Sequence, residues 1–187
     1  MPKLSSDQEL IEGCLNNQRL AQKLLYEKYS SRMLGLCMRY IRDDFEAEEA
    51  MIGGFMKVFS KISQFKNEGS FEGWIKRIMV NECLNFLRKK RWLYAEVDIA
   101  NVSDNMDYSR YESEFDTEEL LNLIDRLPIG YRTVFNLYAI EGYSHKEIAD
   151  MLGISENTSK SQLSRARGLL QKLINNSDKT LNNISHG

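Results

Sequence analysis

Residues 144–167 read SHKEIADMLGISENTSKSQLSRAR, and this stretch determines how the second half of the chain folds. Ser144 and Glu147 have the spacing of a capping box, in which each side chain caps the backbone of the other residue at the start of a helix. Gly153 supplies a turn, and Ser155 is a favourable N-cap for a second, longer helix. A short helix, a glycine turn and a longer helix are typical of the helix-turn-helix motif.

The longer helix of this motif, which we expect to end near Ile174, has two different faces. Ala166 lies on the face that packs inward, whereas Asn157, Ser161 and Gly168 point away from it. A helix that enters the major groove of DNA needs such a polar outer face with basic residues beside it. A merely solvated helix is the alternative, but the cap and the turn glycine in register favour DNA. The residues predicted to contact duplex DNA are Glu156, Asn157, Lys160, Ser161, Ser164, Arg165 and Arg167.

Two further helices are predicted just before this motif. Asp116 and Glu119 have the spacing of a capping pair, which would start the first of them. Pro128 ends that helix and starts the next, because proline lacks the N–H of a helix interior and fits the first turn. The second of these helices is expected to continue as far as Gly142.

Three amphipathic helices are predicted in the first half of the chain. Apolar residues recur at steps of three and four from Leu20 to Ile41, from Phe55 to Phe65 and from Trp74 to Leu87. Acidic residues from Asp43 to Glu49 occupy the first turns of the second helix, where the helix dipole favours them. A polar break containing Gly69 separates the second helix from the third. We expect the three helices to share one core.

The third of these helices carries a polar stripe. Its two arginines and two asparagines fall within about 80° of one another on a helical wheel. Arginine can bind phosphate, and asparagine can hydrogen-bond to base edges. The preceding loop ends at Phe71, which is either a stacking platform for an unpaired base or a core residue. The residues predicted to contact single-stranded DNA are Asn67, Ser70, Phe71, Arg77, Asn81, Asn85 and Arg88.

The charge of the chain is unevenly distributed. The net charge is only -2, but nine acidic residues and a single arginine lie between Glu96 and Glu119, so the remainder is basic. The acidic stretch lacks helical periodicity and is interpreted as a linker. The sequence therefore predicts an all-α protein of two small helical domains, residues 1–93 and 116–176, joined by a flexible acidic linker at 94–115 and followed by a disordered tail at 177–187.

Several functional classes are not supported by the sequence. Cys14, Cys37 and Cys83 are odd in number and widely spaced, so we expect neither a disulfide framework nor a metal site. No phosphate-binding glycine loop and no nucleophile with a nearby base is found, so we expect no cofactor and no enzymatic activity. No apolar run approaches the ~20 residues that span a bilayer, and the N-terminus lacks a basic signal region. We therefore expect a cytoplasmic protein.

Several segments of the chain resemble extracytoplasmic-function sigma factors. Those of the second half, which are similar to region 4 of that family, are LPIGYRTVF (127–135), EGYSHKEIA (141–149), LGIS (152–155) and LSRAR (163–167). Those of the first half, which are similar to region 2, are AEE (47–49) with Phe55 and Phe59, and FEGWIKRI (71–78) with Asn81 and LRK (87–89). The resemblance covers nearly the whole chain except the linker and the two tails.

The resemblance implies a factor of the sigma-70 family that binds core RNA polymerase and directs promoter-specific transcription initiation. In that family the first domain docks on a coiled coil of the polymerase β′ subunit and captures unpaired bases of the -10 element. The second domain reads the -35 element as duplex near the β flap. Promoter DNA, core polymerase and an anti-sigma factor are therefore the expected partners, in the bacterial cytoplasm. The resemblance places polymerase docking on the helix from Glu46 to Phe59, with the contacts Glu46, Glu48, Glu49, Phe55 and Phe59.

Two positions depart from the family pattern, and one other function remains open. Many members carry a Gln-Glu pair where this chain has Ile52 and Gly53, which Gly54 follows, and a valine is common where Ser159 stands. A conventional helix-turn-helix regulator is the alternative function. Such a regulator would bind a palindrome as a free protein, whereas a sigma factor would form a complex with core polymerase.

Overall fold

The structure, a computed structural model, describes residues 6–90 and 117–184. Every regular element among these residues is helical, which confirms the prediction of an all-α protein. The chain divides into two compact units, Met1–Lys90 and Arg91–Gly187. The predicted linker at 94–115 and the predicted capping residue Asp116 lie outside the described residues.

The first unit contains a helix that the periodicity did not predict. Helix α1 (Asp7–Leu15) precedes the three expected helices α2 (Arg19–Tyr40), α3 (Asp44–Lys61) and α4 (Phe71–Lys89). A capping box starts α1: the Glu9 backbone N–H donates to Ser6 Oγ at 3.2 Å, and the Ser6 N–H donates to Glu9 Oε2 at 3.0 Å. This capping box was the sequence signal for α1.

Close packing joins these helices into one core. A Cβ added at Gly13 of α1 would lie 2.5 Å from Ala21 Cβ of α2, so only glycine permits this approach. Tyr29 of α2 donates a hydrogen bond to Asp7 Oδ1 at 2.6 Å, which ties the start of α1 to the middle of α2. The fully buried core residues of the unit include Leu25, Met33, Leu36, Cys37, Ile75, Met79, Cys83, Leu84 and Leu87.

The second unit is built as the sequence predicts around Pro128. Helix α5 (Thr117–Asp125) ends before this proline, which is the N-cap of α6 (Ile129–Phe135). A π-helical segment, Asn136–Ile140, continues α6. The helix-turn-helix follows as α7 (His145–Leu152) and α8 (Glu156–Ile184). One core cluster of the unit consists of Leu123, Ile124, Leu127, Tyr131, Ala166 and Leu170.

A buried arginine fixes the end of α5. Arg132 is only 2% exposed, and its Nη1 lies 3.4 Å from the carbonyl oxygen of Asp125 and 3.6 Å from the carboxylate Oδ1 of the same residue. A helix C-terminus carries carbonyl groups that lack helical partners, and a cation there is favourable. Arg132 therefore joins α5 to α6.

Helix α8 extends beyond its expected end near Ile174. It continues to Ile184 and so enters the range, 177–187, for which a disordered tail was predicted. No proline or glycine, the strongest helix stops, occurs between Leu169 and Ile184, and the helix continues past Asn175 and Asn176, which can end a helix but do not force it to end.

Candidate functional site

The caps of the helix-turn-helix are those that the sequence predicts. The Ser144 and Glu147 capping box starts α7, with the Ser144 N–H donating to Glu147 Oε2 at 2.8 Å. Gly153 has φ 68°, a left-handed conformation that suits glycine and lets the chain turn. Ser155 Oγ accepts the backbone N–H of Thr158 at 3.0 Å and so caps α8. These short-range interactions set the position of α8 against α7.

The predicted DNA-contacting residues of α8 lie in its first three turns. Six of the seven are exposed, and Ser164 is half-buried. Lys160 lies 3.8 Å from Glu156 in an exposed i,i+4 pair, and Ser161 Oγ donates to the Thr158 carbonyl at 3.0 Å. Gly168 was predicted to face outward but is buried. Gly168 therefore does not belong to the open face of α8 formed by these seven residues.

Ser159 is fully buried, and its hydroxyl has a partner. Ser159 Oγ lies 2.9 Å from His145 Nδ1, so the polar group that replaces the family's valine is hydrogen-bonded. His145 also stacks on Tyr138, with ring centroids 4.6 Å apart. Burial, together with the positive charges of Lys160 and Arg167, lowers the pKa of His145 below its ordinary value. Both effects disfavour the charged form of the ring.

The loop before α4 presents polar groups near its end. Asn67 and Gly69 have φ values of 56° and 88°, which bend the chain sharply. Ser70 caps α4, because its Oγ accepts the Gly73 N–H at 3.0 Å. Asn67 and Ser70 are both exposed, as a role in binding unpaired bases requires.

Phe71 does not present its ring to solvent. It is 4% exposed and lies between the rings of Tyr29, Phe65 and Trp74, at centroid distances of 6.0, 5.1 and 5.7 Å. A base could stack on this ring only if the aromatic cluster opened. Phe71 is therefore a core residue and not a stacking platform, and its burial anchors the end of the loop before α4.

The four residues of the polar stripe lie on α4 as predicted, but they differ in how exposed they are to solvent. Arg77, Asn81 and Arg88 are exposed, whereas Asn85 is half-buried. Arg88 donates to Asn85 Oδ1 at 2.9 Å and to the Leu84 carbonyl at 3.3 Å. Asn85 and Arg88 thus bind each other, while Arg77 and Asn81 are the members most open to solvent.

The predicted docking contacts on α3 divide into exposed and internal residues. Glu48 and Glu49 are exposed, but Glu46 pairs with Lys90 of the same unit. Phe55 is 2% exposed and contacts the Tyr26 ring at 4.8 Å, so it belongs to the core and cannot meet a partner. Its assignment as a polymerase contact is wrong in this fold, and Phe59 is half-buried beside it.

Three large apolar side chains of α3 were missed as candidates. Phe45, Ile52 and Met56 are 85%, 48% and 67% exposed. Their spacing of seven and four places them within about 40° on the helix. Glu48 and Glu49 lie on either side of this stripe. We call these five residues the α3 docking face. The signal in the sequence was this spacing, which the stronger buried stripe obscured.

The two glycines that follow Ile52 have different packing roles. A Cβ added at Gly54 would lie 2.2 Å from the sulfur of Met79, which is fully buried in α4. A Cβ at Gly53 would lie 3.3 Å from Glu82 Oε1, at the movable end of a side chain. Gly54 thus permits the close approach of α3 and α4 beneath the docking face.

The described residues offer neither a membrane-spanning helix nor a cluster of metal ligands. No helix in the described ranges has both the length and the apolar content that crossing a bilayer requires. Likewise, 6–90 and 117–184 contain no group of three or more histidine, cysteine or acidic side chains that could hold a metal ion.

Comparison with known proteins identifies both halves of the chain. The family described as "Sigma-70 region 2" matches residues 25–93, and "Sigma-70, region 4" matches residues 117–170. The chain is 28% identical to the ECF RNA polymerase sigma-E factor of Haemophilus influenzae, covering 93% of this chain and 98% of that protein. It is 26% identical to the RNA polymerase sigma-H factor of Pseudomonas aeruginosa, with 90% and 93% covered.

Solved structures agree with this at the level of the fold. The sigma factor RpoE of Bartonella quintana, solved in complex with the anti-sigma factor NepR, has a TM-score of 0.52 at 23% identity, covering 82% of this chain and 96% of that one. CnrH, solved in complex with the cytosolic domain of CnrY, has a TM-score of 0.51 at 19% identity, covering 91% and 98%. The two matched regions, their order and these relatives show that the chain belongs to the sigma-70 family, as a sigma factor of the extracytoplasmic-function type that directs transcription initiation.

Proposed function

We propose that the protein binds core RNA polymerase through the α3 docking face, captures unpaired -10 bases with its first unit and reads the -35 duplex with its second. It acts as a binding factor in the bacterial cytoplasm, and the chemistry of RNA synthesis belongs to the polymerase. The observation that carries the proposal is the pairing, in one chain, of an exposed Arg/Asn stripe on α4 with a capped helix-turn-helix.

The α3 docking face supports a protein partner. Phe45, Ile52 and Met56 expose apolar surface on one side of a helix that is otherwise well packed, and exposed apolar patches with a polar rim are typical of interaction sites. The flanking carboxylates of Glu48 and Glu49 favour a basic rim on that partner. We place the β′ coiled coil here, with Ile52 and Met56 taking the role first given to Phe55.

The DNA contacts are divided between the units. For -10 capture we propose Asn67, Ser70, Arg77, Asn81 and Arg88, with Asn85 positioning Arg88. For the -35 duplex we propose the open face of α8, in which Lys160, Arg165 and Arg167 bind phosphate and Glu156, Asn157, Ser161 and Ser164 approach base edges. We also propose an anti-sigma factor as a regulatory partner, because the similar sigma factor RpoE was solved in complex with the anti-sigma factor NepR.

The test is a binding and transcription assay with purified bacterial core RNA polymerase. The full chain is mixed with core enzyme, the complex is isolated by size exclusion, and run-off transcription is measured on a pool of genomic promoter fragments. A one-to-one complex that yields new promoter-specific transcripts is the expected result. Absence of the complex, with tight binding of a palindromic duplex by the free protein, would instead make the protein a conventional regulator.

A further inference from the structure

Four side chains of the second unit form a continuous series of contacts that begins and ends on α8. The guanidinium carbon of Arg167 lies 5.7 Å from the ring centroid of Tyr138, and the Tyr138 ring stacks on His145 at 4.6 Å and 21°. His145 Nδ1 then lies 2.9 Å from Ser159 Oγ. Arg167 and Ser159 both belong to α8, whereas Tyr138 lies in the π-helical segment and His145 begins α7.

From these contacts we propose that His145 is a positioning residue for duplex recognition: through Ser159 and Tyr138 it fixes the rotation of α8 about its axis and the direction of Arg167. The inference rests on the proposed function of the second unit, since it concerns how that unit reads duplex DNA. His145 itself need not touch the DNA for this role.

A small rotation of α8, caused by a change at His145, would displace the side chains of α8 that face the bases. Side chains extend about 5–6 Å from a helix axis, so a rotation of α8 by about 20° moves their ends by about 2 Å. Such a shift is enough to break hydrogen bonds to base edges, which need donor–acceptor distances of about 2.7–3.2 Å. Asn157 and Ser161 would move with the helix, and the phosphate contact of Arg167 would move with them.

The series depends on the hydrogen bond as well as on shape. Ser159 is fully buried, and an unpaired hydroxyl is unfavourable in such a position. His145 Nδ1 and Ser159 Oγ share a hydrogen bond whose direction depends on the tautomer of the ring, while the face of the ring stays on Tyr138. The substitution His145→Phe would keep the stack on Tyr138 but would remove the hydrogen-bond partner of Ser159. The substitution Ser159→Val would remove the hydroxyl that needs this partner.

These relations define a matched set of variants. His145→Phe breaks the hydrogen bond, and His145→Phe with Ser159→Val restores an apolar pair of similar shape. Lys146→Ala, at the exposed neighbouring position of α7, is the control. Each full-length variant is assembled with core RNA polymerase, and binding is measured to a duplex enriched from a random library by the wild-type assembly. The same duplex with its -35 segment scrambled is the reference, and circular dichroism melting checks the fold.

We expect His145→Phe to reduce the preference for the enriched duplex over the scrambled one by about 10-fold, the effect of losing one good base contact. Affinity for the scrambled duplex should fall less, by no more than the loss of the single Arg167 phosphate contact. The double variant should recover most of the preference, and Lys146→Ala should match the wild type. Equal losses on both duplexes, an unchanged preference, or no recovery in the double variant would overturn the inference. Failure of the wild-type assembly to enrich any duplex would instead overturn the proposed function.

Discussion

Two adjacent glycines in α3 allow the effect of helix propensity on stability to be distinguished from the effect of packing. Gly53 and Gly54 are adjacent in the helix interior, where alanine is more favourable by about 1 kcal/mol. An added methyl group at Gly53 meets the Glu82 side chain, which must shift slightly while it keeps its pair with Lys57, but at Gly54 it meets the buried sulfur of Met79. Substitution by alanine therefore brings the same gain in helix propensity at both positions. The two substitutions differ in the free-energy cost of overpacking, which is typically about 1–3 kcal/mol.

We expect Gly53→Ala to raise the melting temperature of the first unit by a few degrees, because about 1 kcal/mol corresponds to about 4–8 °C in a domain of this size. Gly54→Ala should melt at a lower temperature than Gly53→Ala and no higher than the wild type. Thermal unfolding followed by circular dichroism at 222 nm compares the two variants directly. A Gly54→Ala protein at least as stable as Gly53→Ala would contradict the assigned close packing against Met79.

Individual side chains also show where sequence reasoning met its limit. The helical period identified Phe55 as a member of an apolar stripe, and Phe71 was expected at the end of the loop before the third helix. In both cases the sequence is compatible with a core residue and with an exposed contact. Burial depends on which helices pack against that stripe, and this is a property of the tertiary structure. The pairing of His145 with Ser159 was invisible for the same reason, since fourteen positions separate two residues that meet only through the turn.

Helices with strong local signals were the ones predicted well. The helix-turn-helix was predicted because its caps, its turn glycine and its apolar spacing all lie within a few residues of one another. Helix α1 was missed although Ser6 and Glu9 form a capping box, because only a few apolar residues follow it. The end of α8 was misplaced because the weak stop signal of Asn175 and Asn176 does not end the helix, and neither proline nor glycine follows before Ile184.

The face of α3 leads to a prediction about polymerase binding. Met56→Asp places a charge within the apolar stripe of the docking face, where the native side chain is 67% exposed, so the fold should be retained. We expect the dissociation constant for core polymerase to rise at least about 10-fold, the effect of losing about 1.4 kcal/mol at an interface hot spot. Fluorescence titration of labelled protein with core enzyme measures this change.

The matched control is Leu20→Asp. Leu20 is 55% exposed on α2 and lies outside the docking face, so the substitution introduces the same charge at a comparable apolar site. It should leave polymerase affinity within about twofold of the wild type, because isolated exposed apolar residues contribute little to a distant interface. If both variants lose affinity equally, the docking face has been assigned to the wrong residues.

Two compact units with separate DNA faces make the steps of initiation separable. Asn81 lies on the exposed stripe of the first unit and Arg165 on the open face of α8 in the second. Substitutions that act on independent steps are expected to have additive free-energy effects, to within about 0.5 kcal/mol. The division of labour between -10 capture and -35 binding can therefore be tested by a double-mutant cycle on one promoter.

We expect Asn81→Ala to slow open-complex formation without weakening duplex binding, because unpaired bases become available only after the strands separate. Arg165→Ala should weaken duplex binding about 5- to 10-fold and reduce the slope of log affinity against log salt by about 0.9, the value for one lost phosphate contact. Their combined effect on run-off transcription should equal the product of the single effects to within about twofold. A loss of duplex binding in Asn81→Ala, or a salt slope unchanged by Arg165→Ala, would show that the two units do not divide promoter recognition in this way.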